Sequence, residues 1–390
     1  MIATAKCNLI EIRIDKRYHV TVFLVRPHGL GVGLVGLAAF SALSYGMKMI
    51  PFQRGHLIRL MLLCITCYFG ALATPAAALT PVPSNLFSSG DSMGEGIAAD
   101  GVIGSTRHDM VWSTGYNRSD IVYSLNERFE DRDPDGFYQN NAERDAIFNH
   151  AVSGAKMDDF KGQADEIVAA AGATPSGKAG MITLLMGNND VCADSLADMT
   201  PPEQFERFYR DGLDVLASSE ATKSAHIHVS SIPAIYWLWY VKRTDNWCRV
   251  VAWPFVPCQN LLSEPEDDCG SGSSSQDPDT IHEDDGPNCR RRKEFHAKIR
   301  DIYNPILKNV LQEYINDGRL PNAYFVDIFD IRFEALHVND GDCFHPSVEG
   351  QKALAENHWC DSPWRLGDPS CGPPPATPWI PLLLLDGASP

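Results

Sequence analysis

Four short clusters in this 390-residue chain combine a hydroxyl, amide donors, a carboxylate and an imidazole. Gly90-Asp91-Ser92 runs into Met93-Gly94-Glu95-Gly96, a serine at the start of a glycine-rich turn. A serine directly after a strand, at a helix N-terminus, sits where free backbone amides and the helix dipole favour developing negative charge. Asn149-His150-Ala151-Val152-Ser153-Gly154 ends in a glycine whose amide can closely approach an oxyanion, because no Cβ blocks it. Gly187-Asn188-Asn189-Asp190 offers an asparagine side-chain amide as a further donor. Asp342-Cys343-Phe344-His345-Pro346 sets a carboxylate three residues before an imidazole. That carboxylate can hold Nδ1–H, fix the tautomer and leave Nε2 to deprotonate a serine. The chemistry is nucleophilic attack on a carbonyl.

Each cluster alone also has a plain reading: an N-cap, a turn glycine, an asparagine ending a strand, a surface turn with an incidental histidine. His150 lies inside a strand pattern and is not taken as the base. The set gains weight from its order, each cluster following a predicted strand, because open α/β sheets place their sites at strand C-termini. In this arrangement the chain resembles the SGNH (GDSL-type) hydrolases. That resemblance spans roughly Leu86 to Trp359 and is specific in the four blocks. It implies Ser92 as nucleophile, His345 as general base and Asp342 as its orienting partner. It also implies an oxyanion hole from the Ser92 and Gly154 amides and the Asn189 side chain. Gly187–Cys192, Met199–Glu203 and Asp342–Pro346 are similar to the phospholipase-B-like and acyloxyacyl-hydrolase-like branches, which cleave fatty-acyl esters of lipids. Met93-Gly94-Glu95-Gly96 departs from the commoner continuation of the first block. The implied mechanism is two-step acyl transfer, requiring no metal or organic cofactor.

The elements that must position these residues read as α/β. Strands are predicted at Leu86–Ser89, Ile147–Val152, Met181–Met186, His226–Ser231 and Ala323–Ile328. Helices are predicted at Asp158–Ala171, Pro201–Ser218, Arg291–Glu313 and Ser347–Trp359. The expectation is a single three-layer α/β/α domain over 84–362, with a five-stranded, mostly parallel, flavodoxin-like sheet. Residues 232–290, rich in Trp, Pro and Cys, read as a disulfide-stapled insertion rather than a second domain. Its aromatics Tyr236, Trp237, Trp239, Tyr240, Trp247 and Trp253 fit either packing of the insertion or an acyl or lipid-interface surface. A Pro-rich tail occupies 372–390.

Arg54 and Arg59, the apolar run Leu60–Ala73 and Ala76-Ala77-Ala78 have the order of a secretory signal over 47–78, cleaved near Ala78. Residues 1–46 form an extension with two readings. Either the start is mis-assigned and translation begins at Met47 or Met49, or Gly29–Met47 is a membrane segment. The expected location is outside the cytoplasm, secreted or periplasmic. Eight cysteines follow Ala78, an even set that suggests disulfides. The expected pairs are Cys248–Cys258, Cys269–Cys289, Cys360–Cys371 and Cys192–Cys343.

Net charge is −17, and the first 78 residues are basic, so the remainder holds 25 basic and 48 acidic residues. Such a surface excludes nucleic acid and disfavours docking on an anionic membrane, while leaving transient contact with neutral lipid open. Asp131, Asp133, Asp135 and Gly136 follow the opening of a calcium loop, although Ala142 stands where its closing Glu belongs and Glu143 comes one residue late. A structural calcium is weighed there against a solvated acidic turn. The expected partner is an ester substrate, with acyl lipids foremost. The rivals are a carbohydrate O-acetyl esterase, a non-catalytic binding protein on the same fold and a calcium-dependent surface protein.

Overall fold

The structure is a computed structural model that describes residues 6–15, 18–26, 80–138, 147–365 and 368–371. The expected signal segment 47–78, the apolar stretch 29–47, the tail 372–390, and Ala142 with Glu143 lie outside the described residues. The chain divides into two units, Met1–Ala78 and Leu79–Pro390. In the first, Lys6–Asp15 (β1) and Tyr18–Arg26 (β2) pair as an antiparallel hairpin.

The second unit is built on a parallel sheet of Leu86–Gly90 (β3), Met181–Leu185 (β4), His226–Ser230 (β5) and Tyr324–Val326 (β6), in that spatial order. The α/β class and parallel sheet are as expected, but the sheet has four strands, not five. Ile147–Val152 contributes only a bridge between Asn149 and Ser88, with His150 N and Val152 N donating to Ser88 O and Gly90 O. The reason is local. The Asn149 side chain accepts from Ala151 N (3.0 Å) and donates to Gly94 O (2.9 Å), turning the chain before a ladder can extend. The segment still lies outside β3, so the flavodoxin-like order survives.

Every residue of β3 and β4 is buried, and the polar ones are satisfied sideways. Ser88, Thr183, His228 and Tyr324 fall in register across the sheet. Thr183 Oγ1 donates to Ser88 Oγ (3.1 Å), and Tyr324 Oη pairs with His228 Nδ1 (2.9 Å). Burial pushes His228 down to about 3, keeping it neutral. Beyond this row, His358 of Val348–Cys360 stacks on Trp112 at 3.8 Å and meets Ser230 Oγ at 2.6 Å.

Helices come next in chain order: Ser92–Glu95 (α1), Leu125–Arg132 (α2), Phe160–Ala173 (α3), Asn188–Val191 (α4), Pro202–Ser218 (α5) and Tyr236–Lys242 (α6). Gln259–Leu262 (α7), Pro287–Lys298 (α8), Asn304–Asn316 (α9) and Val348–Cys360 (α10) follow. Helix α5 packs on α3 and α9, while α10 packs on α2. The helix predicted at Arg291–Glu313 is three pieces, α8 and α9 joined by a π-helical turn at Ile299–Tyr303. Pro305 lacks an N–H and crowds the carbonyl one turn earlier, and the wider turn accommodates it.

Four disulfides close: Cys192–Cys258, Cys248–Cys343, Cys269–Cys289 and Cys360–Cys371. The two local pairs are as expected, whereas Cys248–Cys258 and Cys192–Cys343 are corrected to cross-pairs. The insertion folds back, so Cys258 meets Cys192 at the end of α4 and Cys248 meets the loop before α10. Disulfides of this number belong to an oxidising, extracytoplasmic compartment.

Gly212 of α5 sits against Phe160 of α3, and a Cβ there would overlap the buried phenyl ring. Gly212→Ala gains about 1 kcal/mol of helix propensity but overpacks this contact by about 1–3 kcal/mol. The expected result is a lower urea midpoint with an unchanged m-value; a midpoint at or above wild type would show that the ring yields without cost.

Candidate active site

Strand β3 delivers Ser92 to the first position of α1, buried at 7% exposure. Gln163 of α3 clamps the strand end, its Oε1 accepting from Ser89 Oγ (2.7 Å) and Gly90 N (2.8 Å) and its Nε2 donating to Gly90 O (2.9 Å). Gln351 Nε2 donates to Met93 O (3.0 Å) and Asn149 Nδ2 to Gly94 O (2.9 Å), so neighbouring elements fix the serine turn. Asp91 is its N-cap, accepting from Met93 N (3.0 Å) and from Asn188 Nδ2 (2.8 Å). Burial pushes the Asp91 carboxyl up to about 6, against the lowering effects of Asn188, the Met93 amide and the His345 charge.

His345 arrives on the loop before α10. Asp342 Oδ2 pairs with His345 Nδ1 at 2.8 Å, while Oδ1 accepts from Phe344 N (2.9 Å) and His345 N (3.1 Å). Burial works to raise this carboxyl, yet the imidazole and the two amides hold it below the usual carboxylate range. With Nδ1 so engaged, Nε2 is the free nitrogen. The loop is held from the insertion. Cys343 is bonded to Cys248, Trp253 Nε1 donates to Cys343 O (3.0 Å) and Trp247 Nε1 donates to Gly341 O (2.9 Å). Asn339 Oδ1 gathers Gly341 N (2.6 Å) and Asp342 N (3.3 Å) from within.

Ser92, Asn189 and His345 line one cavity of about 60 Å³, whose apolar walls include Met93, Ile235, Leu238, Phe333, Val338 and Phe344. Among the described residues no hydrogen bond joins the Ser92 hydroxyl to the imidazole, although both face the same cavity. Asn189 Nδ2 donates to Ala155 O (2.9 Å), tying the third block to the second. Met157 N donates to Asp190 Oδ2 (2.8 Å) beside it, and burial pushes Asp190 up to about 6. Gly154 lies on this tied loop at φ +80°, a left-handed conformation suited to glycine, and it is exposed rather than part of the cavity wall.

His150 is occupied elsewhere, by Glu166 (3.2 Å) and Ile147 O (3.0 Å). The acidic turn does not converge. Asp131 pairs with Arg118 (3.0 Å) and Tyr123 Oη (2.7 Å), and Asp133 accepts from Gly136 N (3.0 Å). Among the described residues the one cluster with ligand spacing is Cys269, Asp285 and Cys289, whose cysteines are bonded to each other. Sequence reasoning missed Asp91 and Asn188 as partners beneath the serine. Their types stood in the motifs, but which asparagine faces which neighbour is a tertiary fact. His337 on the cavity wall carried no sequence signal.

A family model described as GDSL-like lipase/acylhydrolase matches residues 86–357. No curated protein matches the chain. Among solved structures, a family 3 carbohydrate esterase from Clostridium thermocellum is similar at 13% identity and a TM-score of 0.36, over 70% of this chain and 92% of that one.

The Asp91 shift has a definite sign. Its folded value lies above the ordinary 3.8, so the stability it contributes is full below that value and lost as pH rises through about 6. The loss is on the order of 3 kcal/mol. Asp91→Asn removes it, and the new amide can donate to Asn188 Oδ1, which is buried without a partner. The variant is expected to match wild type in melting temperature at about pH 4 and to exceed it by a few degrees at about pH 8. Equal melting temperatures at both would contradict the burial argument.

Proposed function

The chain belongs to the GDSL-like lipase/acylhydrolase family, and on that premise we propose that it is a secreted serine hydrolase of acyl lipid esters, with Ser92 as nucleophile. The observation that carries the reading is the shared cavity. Ser92 and His345 open onto it, Asp342 stands behind the imidazole, and the walls are mostly apolar.

In this reading Ser92 Oγ attacks the ester carbonyl carbon as its proton passes to His345 Nε2. The carbonyl oxygen becomes an oxyanion held by the Ser92 and Gly154 amides and Asn189 Nδ2. Collapse breaks the bond to the alcohol, which leaves with the proton from His345. Water, deprotonated by the same nitrogen, then attacks the acyl-enzyme and frees the acid. Asp342 holds the tautomer throughout. Asn189 gives up its contact with Ala155 O or shares it as charge builds. Export by the 47–78 signal is supported by the four disulfides, and no described helix is long and apolar enough to cross a membrane.

The apolar walls favour an acyl chain over a sugar, which would need converging polar donors. The cavity, about 60 Å³, is open on one side and admits on the order of a few water-sized groups. It therefore takes the first few carbons of a chain and leaves the remainder to run out through the mouth. This same modest size gives the second reading, an O-acetyl esterase, its support. A soluble p-nitrophenyl ester series separates them. Each buried methylene contributes about 0.8 kcal/mol, so kcat/KM is expected to rise roughly fourfold per carbon from acetyl to butyryl. A maximum at acetyl would remove the lipid reading. Ser92→Ala and His345→Ala are expected to lose roughly 10³-fold or more, and Asn189→Ala about 10²–10³-fold in kcat. Retained turnover in Ser92→Ala would end the assignment.

A further inference from the structure

The insertion presents an apolar surface that the catalytic site does not use. Phe255 is 87% exposed, Val250 71% and Trp247 47%, with Ile103 at 63% on a separate loop. Two of them meet at Gly341, and Val250 and Phe255 follow Trp247 on the same short segment. Trp247 donates to Gly341 O, and Ile103 sits where a Cβ on Gly341 would meet it at 3.0 Å. Single exposed apolar residues are ordinary, but a contiguous group beside a cavity mouth marks a contact surface.

The covalent frame places the group at the mouth. The strap that carries Val250 and Phe255 begins at Cys248 and ends at Cys258. Cys248 is bonded to Cys343 inside the base loop, and Cys258 is bonded to Cys192 on the cavity wall. Trp253, between them, is 1% exposed and points inward to Cys343 O. The strap is thus fastened at both ends and at its middle, and its outward side chains cannot retract into the core.

Charge narrows the occupant. Around the strap, Arg249 is paired with Glu266 (2.6 Å) and Lys242 with Asp340, so no free cation of these faces outward to hold an anionic headgroup. The chain as a whole carries −17. We propose that Trp247, Val250, Phe255 and Ile103 form a docking surface for zwitterionic lipid, which seats the cavity mouth on the substrate phase. The proposal rests on the acyl-lipid hydrolase reading and gives that reading its interface.

The test is flotation of the protein with phosphatidylcholine vesicles, comparing wild type with the Val250→Ser/Phe255→Ser double variant. Hydrolysis of soluble p-nitrophenyl butyrate is measured on the same samples. Wild type is expected to float, the double variant to partition roughly 100-fold less, and the two to hydrolyse the soluble ester equally, which also shows that the variant is folded. Replacing part of the phosphatidylcholine with phosphatidylserine is expected to weaken flotation. Wild type left unbound, or a double variant that floats equally, would overturn the surface. So would a wild-type dimer in light scattering that the double substitution dissolves, because the occupant would then be a second copy. Flotation without hydrolysis of the soluble ester would keep the surface and overturn the hydrolase reading instead.

Discussion

The hydrogen bond between Asp342 Oδ2 and His345 Nδ1, 2.8 Å long, is the interaction on which the site depends. It commits one ring nitrogen to a carboxylate that burial alone would tend to protonate, and so leaves the other nitrogen toward the cavity shared with Ser92. The two halves of the arrangement come from opposite ends of the domain. The serine half is rigid because a buried strand end feeds a one-turn helix that α3, α10 and the Asn149 turn all grip. The histidine half is a loop, and loops of this kind are precise only when something outside them holds them.

Here the insertion does the holding. Its disulfide to Cys343 and the indoles of Trp247 and Trp253 reach the backbone on both sides of Asp342, while its second disulfide grips α4 beside Asn189. These bonds close loops with sequence separations of 95 and 66 residues. In the chain-entropy account each restricts the unfolded chain by about 4–5 kcal/mol. A segment that looks peripheral in the sequence is thereby part of the frame that keeps His345 and the Asn189 helix in place. The same frame exposes the apolar strap, so the cavity wall and this outward face are set by one piece of chain.

The parts legible in the sequence were those with local causes. Buried strands such as Met181–Leu185 announce themselves by apolar density, Ser347 caps its helix as its type suggests, and the first and third motif blocks follow strand ends. What escaped depended on tertiary partners. The Asn149 side chain cuts a fifth strand down to a bridge. Pro305 is absorbed by a wider helical turn rather than ending the helix. The distant cysteine pairs cross because the insertion folds back, which spacing cannot reveal. The partners of Asp131, Arg118 and Tyr123, and the turn bond from Gly136 to Asp133 are likewise contacts that spacing does not show. The bond from Asn189 to Ala155 O, next to Gly154, is visible only in space.

The central claim is that Ser92 is a nucleophile made reactive by His345. Labelling the folded protein with a fluorophosphonate and mapping the modified peptide tests this directly, since phosphonylation replaces the hydroxyl proton and needs a base to take it. A single adduct on Ser92, formed much more slowly in Asp342→Asn and abolished by prior unfolding, is the result expected. An unlabelled Ser92 in folded protein, or labelling that proceeds at the same rate without His345, would contradict it.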